Sequence, residues 1–266
     1  MDIISHTLTG VAVGTVASSF SNEKWYNKLT IILFGAFGGA LPDIDAISYW
    51  SKFDSTIGKA LNLKYTGHQI YTSKFWYSHH AAFHSLIMPI SLSILIILII
   101  GIAKKYSTVA QFRNHIHSQH LKYFAFCFGF IFHLFEDMPT PASVWGGVNF
   151  YFPSSKYIGG FGKIWWWNNY DLVLIIFSVI IINIGLIFIN NRLTKIRRKL
   201  ISATFLIGII LFLNQINSRP GSFKYSGHTT KYTEYENQSK QIQKEILGDK
   251  LYQIMVKIDN KIPLYF

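Results

Sequence analysis

Four separate stretches carry residues able to do chemistry together. They are SHTLTG with His6, LPDID with Asp43 and Asp45, YSHHAAFHS with His79, His80 and His84, and HLFED with His133 and Asp137. Imidazoles and carboxylates in this mixture suit zinc or a mixed divalent site, because histidine is the commonest nitrogen ligand and carboxylates complete the coordination sphere. A thiolate site is excluded, since Cys127 is the single cysteine. His133 and Asp137 are four apart and share one helical face, as do His80 and His84, whereas His79 reaches the same point only from a preceding loop. Pro42 disfavours helix at Leu41, which would free Asp43 and Asp45 to turn toward one point. More than four candidate ligands leaves room for two ions, the arrangement that clamps both oxygens of a phosphoester undergoing hydrolysis. Asp45 or Asp137, if not spent as a ligand, would serve as general base.

The elements that must position these groups are membrane helices. Half of the 266 residues are hydrophobic, 14% are charged, and mean hydropathy is +0.26. Leu86–Ala103, Leu172–Ile189 and Leu200–Ile216 are apolar runs of spanning length, and Ser5–Phe20, Leu29–Ile47 and Leu121–Asp137 are weaker windows of the same kind. The expectation is an all-α, polytopic membrane bundle of about six spans. MDIISHTLTG has an acid where a secretory signal would have a basic region, so the first window reads as a retained span. Gly10 with Gly14, and Gly35 with Gly39, have the spacing that lets helices approach closely, and they predict packing of the first two spans. Histidine is costly inside a bilayer unless bound or paired, which sharpens the metal reading.

The formal charge of +12 would suggest nucleic acid in a soluble chain. Here the bases sit between spans: Lys104, Lys105, Arg113 and Lys122 in one loop, and Arg192, Lys195, Arg197, Arg198 and Lys199 in another. Loops of this kind lie on the cytoplasmic side, so no nucleic-acid partner is expected. Alternation then puts every candidate ligand at the outer, periplasmic or extracellular, ends of the spans. The fourth window rises only about 25 Å, short of a bilayer, so His133 and Asp137 would lie slightly within the membrane. Trp165, Trp166 and Trp167 read as an aromatic belt at the outer interface. HIHSQH (His115, His117, His120) reads as a solvated loop, and Cys127 as a small buried hydrophobe. Residues 1–216 form the membrane-embedded unit, and 217–266 a small extramembrane tail in which SKQIQKEIL predicts a short helix and LYQIMVKIDN alternates like a strand.

These motifs together resemble the YdjM-like family of predicted membrane-bound metal-dependent hydrolases, over about Met1 to Asp171. The family pattern is an early Thr-His with a following Gly, then Leu-Pro-Asp-Ile-Asp, then His-Arg-Gly with Thr-His-Ser, then His and Asp four apart. DMPTP and NFYFPSS are similar to its later Asp, Thr and Pro-Ser segments. The resemblance implies a metal held by His6, Asp43, Asp45, His79, His84, His133 and Asp137. It favours His79, whereas helical spacing favours His80. The chain departs from the pattern where the family's Arg, Gly and Thr are His80, Ala81 and Phe83.

Three functions compete on this reading. The first is a hydrolase in which metal-activated water attacks a phosphoester, with a lipid or lipid-linked substrate drawn from the bilayer. The second is a non-catalytic membrane protein with a structural metal site. The third is a transporter with buried protonatable groups, although the polar residues gather at one end of the spans with none to continue a path.

Overall fold

The computed structural model describes residues 1–188 and 194–262; Ile189 of the fifth window, Arg192 of the basic loop and residues 263–266 of the tail lie outside them. Among the described residues the architecture is all-helical, without a named strand. The helices are α1 (Ile3–Ser19), α2 (Trp25–Ala40), α3 (Gly67–Thr72), α4 (Ile87–Ala103), α5 (Val109–Asp137), α6 (Tyr170–Ile187), α7 (Thr194–Ser218) and α8 (Tyr232–Asp259). Short 3-10 turns occupy Pro42–Tyr49 and Ala82–His84.

Each apolar window became a helix, but not each helix is a clear span. α6 and α7 are long and apolar enough to cross a membrane, and α2 with the turn after it makes a third, bent by 47°. α1 and α4 are apolar helices of 17 residues. Length and composition therefore support two or three crossings where six were expected. Large apolar side chains stay exposed on these helices, among them Ile90, Ile94 and Leu98 on α4, Ile181 on α6, and Leu206 and Ile210 on α7. Apolar surface of this extent marks contact with lipid.

The fourth window needs correction. It is the C-terminal part of a 29-residue helix that begins at Val109, where Thr108 and Gln111 form a reciprocal capping box. HIHSQH is therefore helical rather than a loop, and α5 rises about 43 Å, so it is not shorter than a bilayer. The polar residues of HIHSQH disguised a helix whose start was marked by the Thr-x-x-Gln pair.

α1, α2 and α5 pack backbone to backbone through glycine. A Cβ at Gly10 would lie 2.2 Å from the Gly35 carbonyl oxygen, and one at Gly39 would lie 2.2 Å from that of His6. On another face of α2, a Cβ at Gly38 would meet the Phe126 carbonyl oxygen at 2.1 Å. The expected pairing of the first two helices is present, and α5 joins it. Asn183 of α6 donates to Thr15 of α1 at 2.9 Å in the buried interior.

Leu41 keeps helical dihedrals (φ −67°, ψ −34°) and still donates to Phe37, contrary to the expectation that Pro42 would displace it. The ladder stops one residue later, because Pro42 has no N–H to give, and Asp43 and Asp45 fall on the 3-10 turn.

The C-terminal segment is docked on the bundle's site end. Asp171, at the start of α6, accepts from Arg219 at 2.5 Å, Gln243 at 3.0 Å and Gln215 at 2.8 Å. Trp165 is fully buried against Phe223, Tyr232 and Tyr235. It anchors this segment and does not join an interfacial belt. LYQIMVKIDN is helical too: a short apolar run fits either period, and with no strand to pair with among the described residues, a helix satisfies its backbone.

Replacing Gly39 with Ala should lower stability by about 1–3 kcal/mol through overpacking, read as a drop in thermal midpoint in detergent. Gly185→Ala, where nothing lies within 4 Å of the added carbon, should change stability by less.

Candidate metal centre

Glycine packing brings the N-terminal turn of α1, the turn after α2 and the C-terminal turn of α5 together. The loop before α4 closes over them. His6, His84 and His133 are fully buried, and His80 and Asp137 are 2% exposed.

Four imidazoles are fixed in the same way. Each donates its Nδ1 hydrogen to an oxygen behind it: His6 to Glu136 at 2.7 Å, His80 to the Gly147 carbonyl at 3.0 Å, His84 to Asp45 at 3.2 Å, and His133 to the Gly39 carbonyl at 2.7 Å. A neutral ring that donates through Nδ1 carries a lone pair on Nε2, and here all four Nε2 atoms face carboxylate. Asp137 Oδ2 lies 3.1 Å from His133 Nε2, 3.6 Å from His84 Nε2 and 3.8 Å from His80 Nε2. Asp137 Oδ1 lies 3.1 Å from His6 Nε2. Asp43 Oδ1 is 3.6 Å from His133 Nε2 and 3.7 Å from His84 Nε2.

Acceptors thus face acceptors. The two Nε2 atoms of His84 and His133 are 3.3 Å apart, and Asp137 Oδ2 is buried without a hydrogen-bond donor. Only positive charge reconciles such a set, and the Met1 ammonium already donates to Asp137 Oδ1 at 2.5 Å. Ligand atoms of Asp43, His84 and His133, of His6, His133 and Asp137, and of His79, His80 and His84 each lie within 4.8 Å of one another, as a metal requires. The donor set therefore fits a divalent ion bound by nitrogen and oxygen. Burial, reinforced by His79 and His84, pushes His80 well below the ordinary imidazole range, which keeps its Nε2 unprotonated.

Two sequence candidates stand apart from this inward ring. Asp45 lies behind the histidines, its Oδ1 2.6 Å from His79 Nδ1 and its Oδ2 on His84. His79 stacks on Tyr71 with ring centroids 4.7 Å apart. His79 and His80 are both at the site, but in different positions. His80 reaches its place with φ +62°, a conformation that helical spacing cannot anticipate.

A cleft of about 830 Å³ opens onto Asp43, His79, His80 and Asp137. His68 and His228, which carried no sequence assignment, line it. Glu136 is the residue of the candidate site that the sequence did not reveal. It holds His6, and Thr9 donates to its other oxygen. The signal was present in SHTLT, where His6 and Thr9 are three apart and face the same partner helix.

The family model described as YdjM inner membrane protein matches residues 1–220. The chain belongs to this family. Membership covers the whole candidate metal cluster and α1 to α7, and it agrees with the apolar helices in making this an integral membrane protein. The family match ends where the docked C-terminal segment begins. No match is found among curated proteins or among solved structures.

Glu136→Gln should weaken metal affinity by about 10–100-fold, the usual effect of removing the carboxylate that orients a ligating histidine, measured by competition with a chromogenic chelator. An unchanged affinity would mean that His6 is not a ligand.

Proposed function

We propose that this protein is a membrane-bound metal-dependent hydrolase acting on a phosphoester in a lipid-linked substrate. The observation that carries the reading is the pair of Nε2 atoms at 3.3 Å, faced by Asp43 and Asp137 in a buried pocket open to a cleft. When bound there, a divalent cation such as zinc supplies a Lewis acid that polarises a phosphoryl oxygen and acidifies water.

In this reading His6, His84, His133, Asp43 and Asp137 would hold the ion. Asp137 presents its other oxygen to His6 and to the Met1 ammonium. Asp45 fixes His84 from behind and does not ligate. His79 faces the cleft with Asp45 on its Nδ1, so the His79–Asp45 pair takes the proton from the attacking water and returns it to the leaving group. The transition state develops charge in a site from which bulk water is largely excluded, where fixed groups act strongly.

Lipid access follows from placement. His6, His84 and His133 lie at one end of the helices, whereas Lys104 and Lys105 follow the far end of α4, and Arg198 donates to the Ser19 and Phe20 carbonyls at the far end of α1. Since bases mark the cytoplasmic end, we place the metal cluster on the outer face, with bilayer lipid as the neighbouring substrate pool.

His79→Ala should lower hydrolysis of a phosphoester by about 10²–10⁴-fold while metal content stays unchanged. Loss of the metal would instead make His79 a ligand. For orientation, in a Cys127→Ala background, Ser155→Cys should react with an impermeant thiol reagent in intact cells and Lys195→Cys should not. The reverse pattern would turn the site to the cytoplasm.

A further inference from the structure

The cleft above the metal cluster has a wall that the family match does not include. Residues 1–220 match the family, yet Tyr225, His228, Thr229 and Tyr232 from the segment beyond them line the cleft. The wall is secured by main-chain bonds: Phe223 donates to the Gly162 carbonyl at 2.7 Å, and Ser143 to that of Tyr225 at 3.3 Å.

The chemistry of the lining is unusual for a site that would grip a charged head group. No Lys or Arg among the described residues lines it. Its outer carboxylates are already engaged: Asp259 accepts from Tyr170 at 2.8 Å, and Asp2 accepts from Ser5 at the start of α1. An anionic head group would find no guanidinium and only the Met1 ammonium, already spent on Asp137, and a cationic one would find outer acids that each already accept a hydrogen bond. Flat rings dominate instead. Trp145 stacks on His80 with centroids 4.6 Å apart, Trp166 meets the same ring edge-on at 5.8 Å, and Tyr232 packs 5.7 Å from Trp167. Amide and hydroxyl groups sit between them. One, Asn168 Nδ2, is buried with no hydrogen-bond partner and belongs to a lining residue held at φ +62°. A purely apolar ligand would leave that donor unpaired.

We propose that this cleft binds an uncharged sugar head group, and that the C-terminal segment from Gly221 onward is the wall that selects it. The C–H faces of a pyranose stack on the aromatic rings, whose faces carry partial negative charge. Its hydroxyls meet Asn168 and the neighbouring polar side chains. The inference rests on the hydrolase reading for the fate of the bound molecule: a glycosylated lipid phosphoester, sugar in the cleft and phosphorus at the cluster.

The test uses the full-length protein in lipid nanodiscs and two probes, farnesyl diphosphate and the same lipid carrying one N-acetylglucosamine on its terminal phosphate. Binding is read by tryptophan fluorescence after chelation, so that turnover does not enter. The glycosylated probe should bind on the order of tenfold more tightly. Tyr232→Ala should remove most of that preference and Tyr232→Phe should keep it. Equal binding of the two probes to the unaltered protein overturns the proposal, whether or not any variant folds. So does a preference that Tyr232→Ala leaves intact in a folded protein. With metal restored, preferential binding without cleavage would sustain the sugar site and contradict the hydrolase. Equally fast cleavage of both probes, after equal binding, would sustain the hydrolase and contradict the sugar site.

Discussion

The structure depends on lone pairs that have nowhere else to go. His6, His80, His84 and His133 spend their Nδ1 hydrogens on oxygens behind them and turn Nε2 toward Asp43 and Asp137. A buried arrangement of acceptors is unstable unless a cation or protons occupy it. In the absence of an ion, the carboxylates of Asp45, Asp43 and Asp137 outweigh the effect of burial and push His84 up to about 10. A metal bound there would displace a proton. The backbone follows from the same requirement: Gly39 is at once the residue whose carbonyl holds His133 and the one whose missing side chain admits His6.

Packing and chemistry are thus one feature in this fold. The glycine faces of α1, α2 and α5 bring helix ends within coordinating distance, and small residues at such contacts are what lets membrane helices associate without a hydrophobic drive between them. The 3-10 turn after Pro42 then directs its two carboxylates to different tasks. Asp43 joins the inward ring, and Asp45 steadies two histidines from outside it. Above the cluster, the loop from Met138 to Asn169 and the docked C-terminal segment share one aromatic wall around Trp165 and Trp166.

Much of this was legible in the sequence because membrane helices announce themselves by composition and because unusual residues inside them stand out. SHTLTG, LPDID, HHAAFHS and HLFED by themselves point to one end of the bundle. The glycine pairs foretold the packing of α1 on α2. What escaped was set by tertiary context. Glu136 looks like an ordinary acid beside Asp137 until α1 places His6 and Thr9 against it. His80 reaches the cluster through a left-handed backbone angle that no spacing rule yields. HIHSQH is polar enough to pass for a loop, and LYQIMVKIDN short enough to fit two periods. Trp165 follows the composition of an interfacial belt, yet its burial comes from a segment some 60 residues later in the chain.

X-ray absorption at the metal edge of the purified protein reads the ligand shell without reference to activity. One divalent ion or two is expected, with a first shell of nitrogen and oxygen only at about 2.0–2.2 Å and the outer-ring scattering of at least two imidazoles. A protein that retains its fold after exhaustive loading yet holds no ion, or holds one without imidazole scattering, would contradict this expectation.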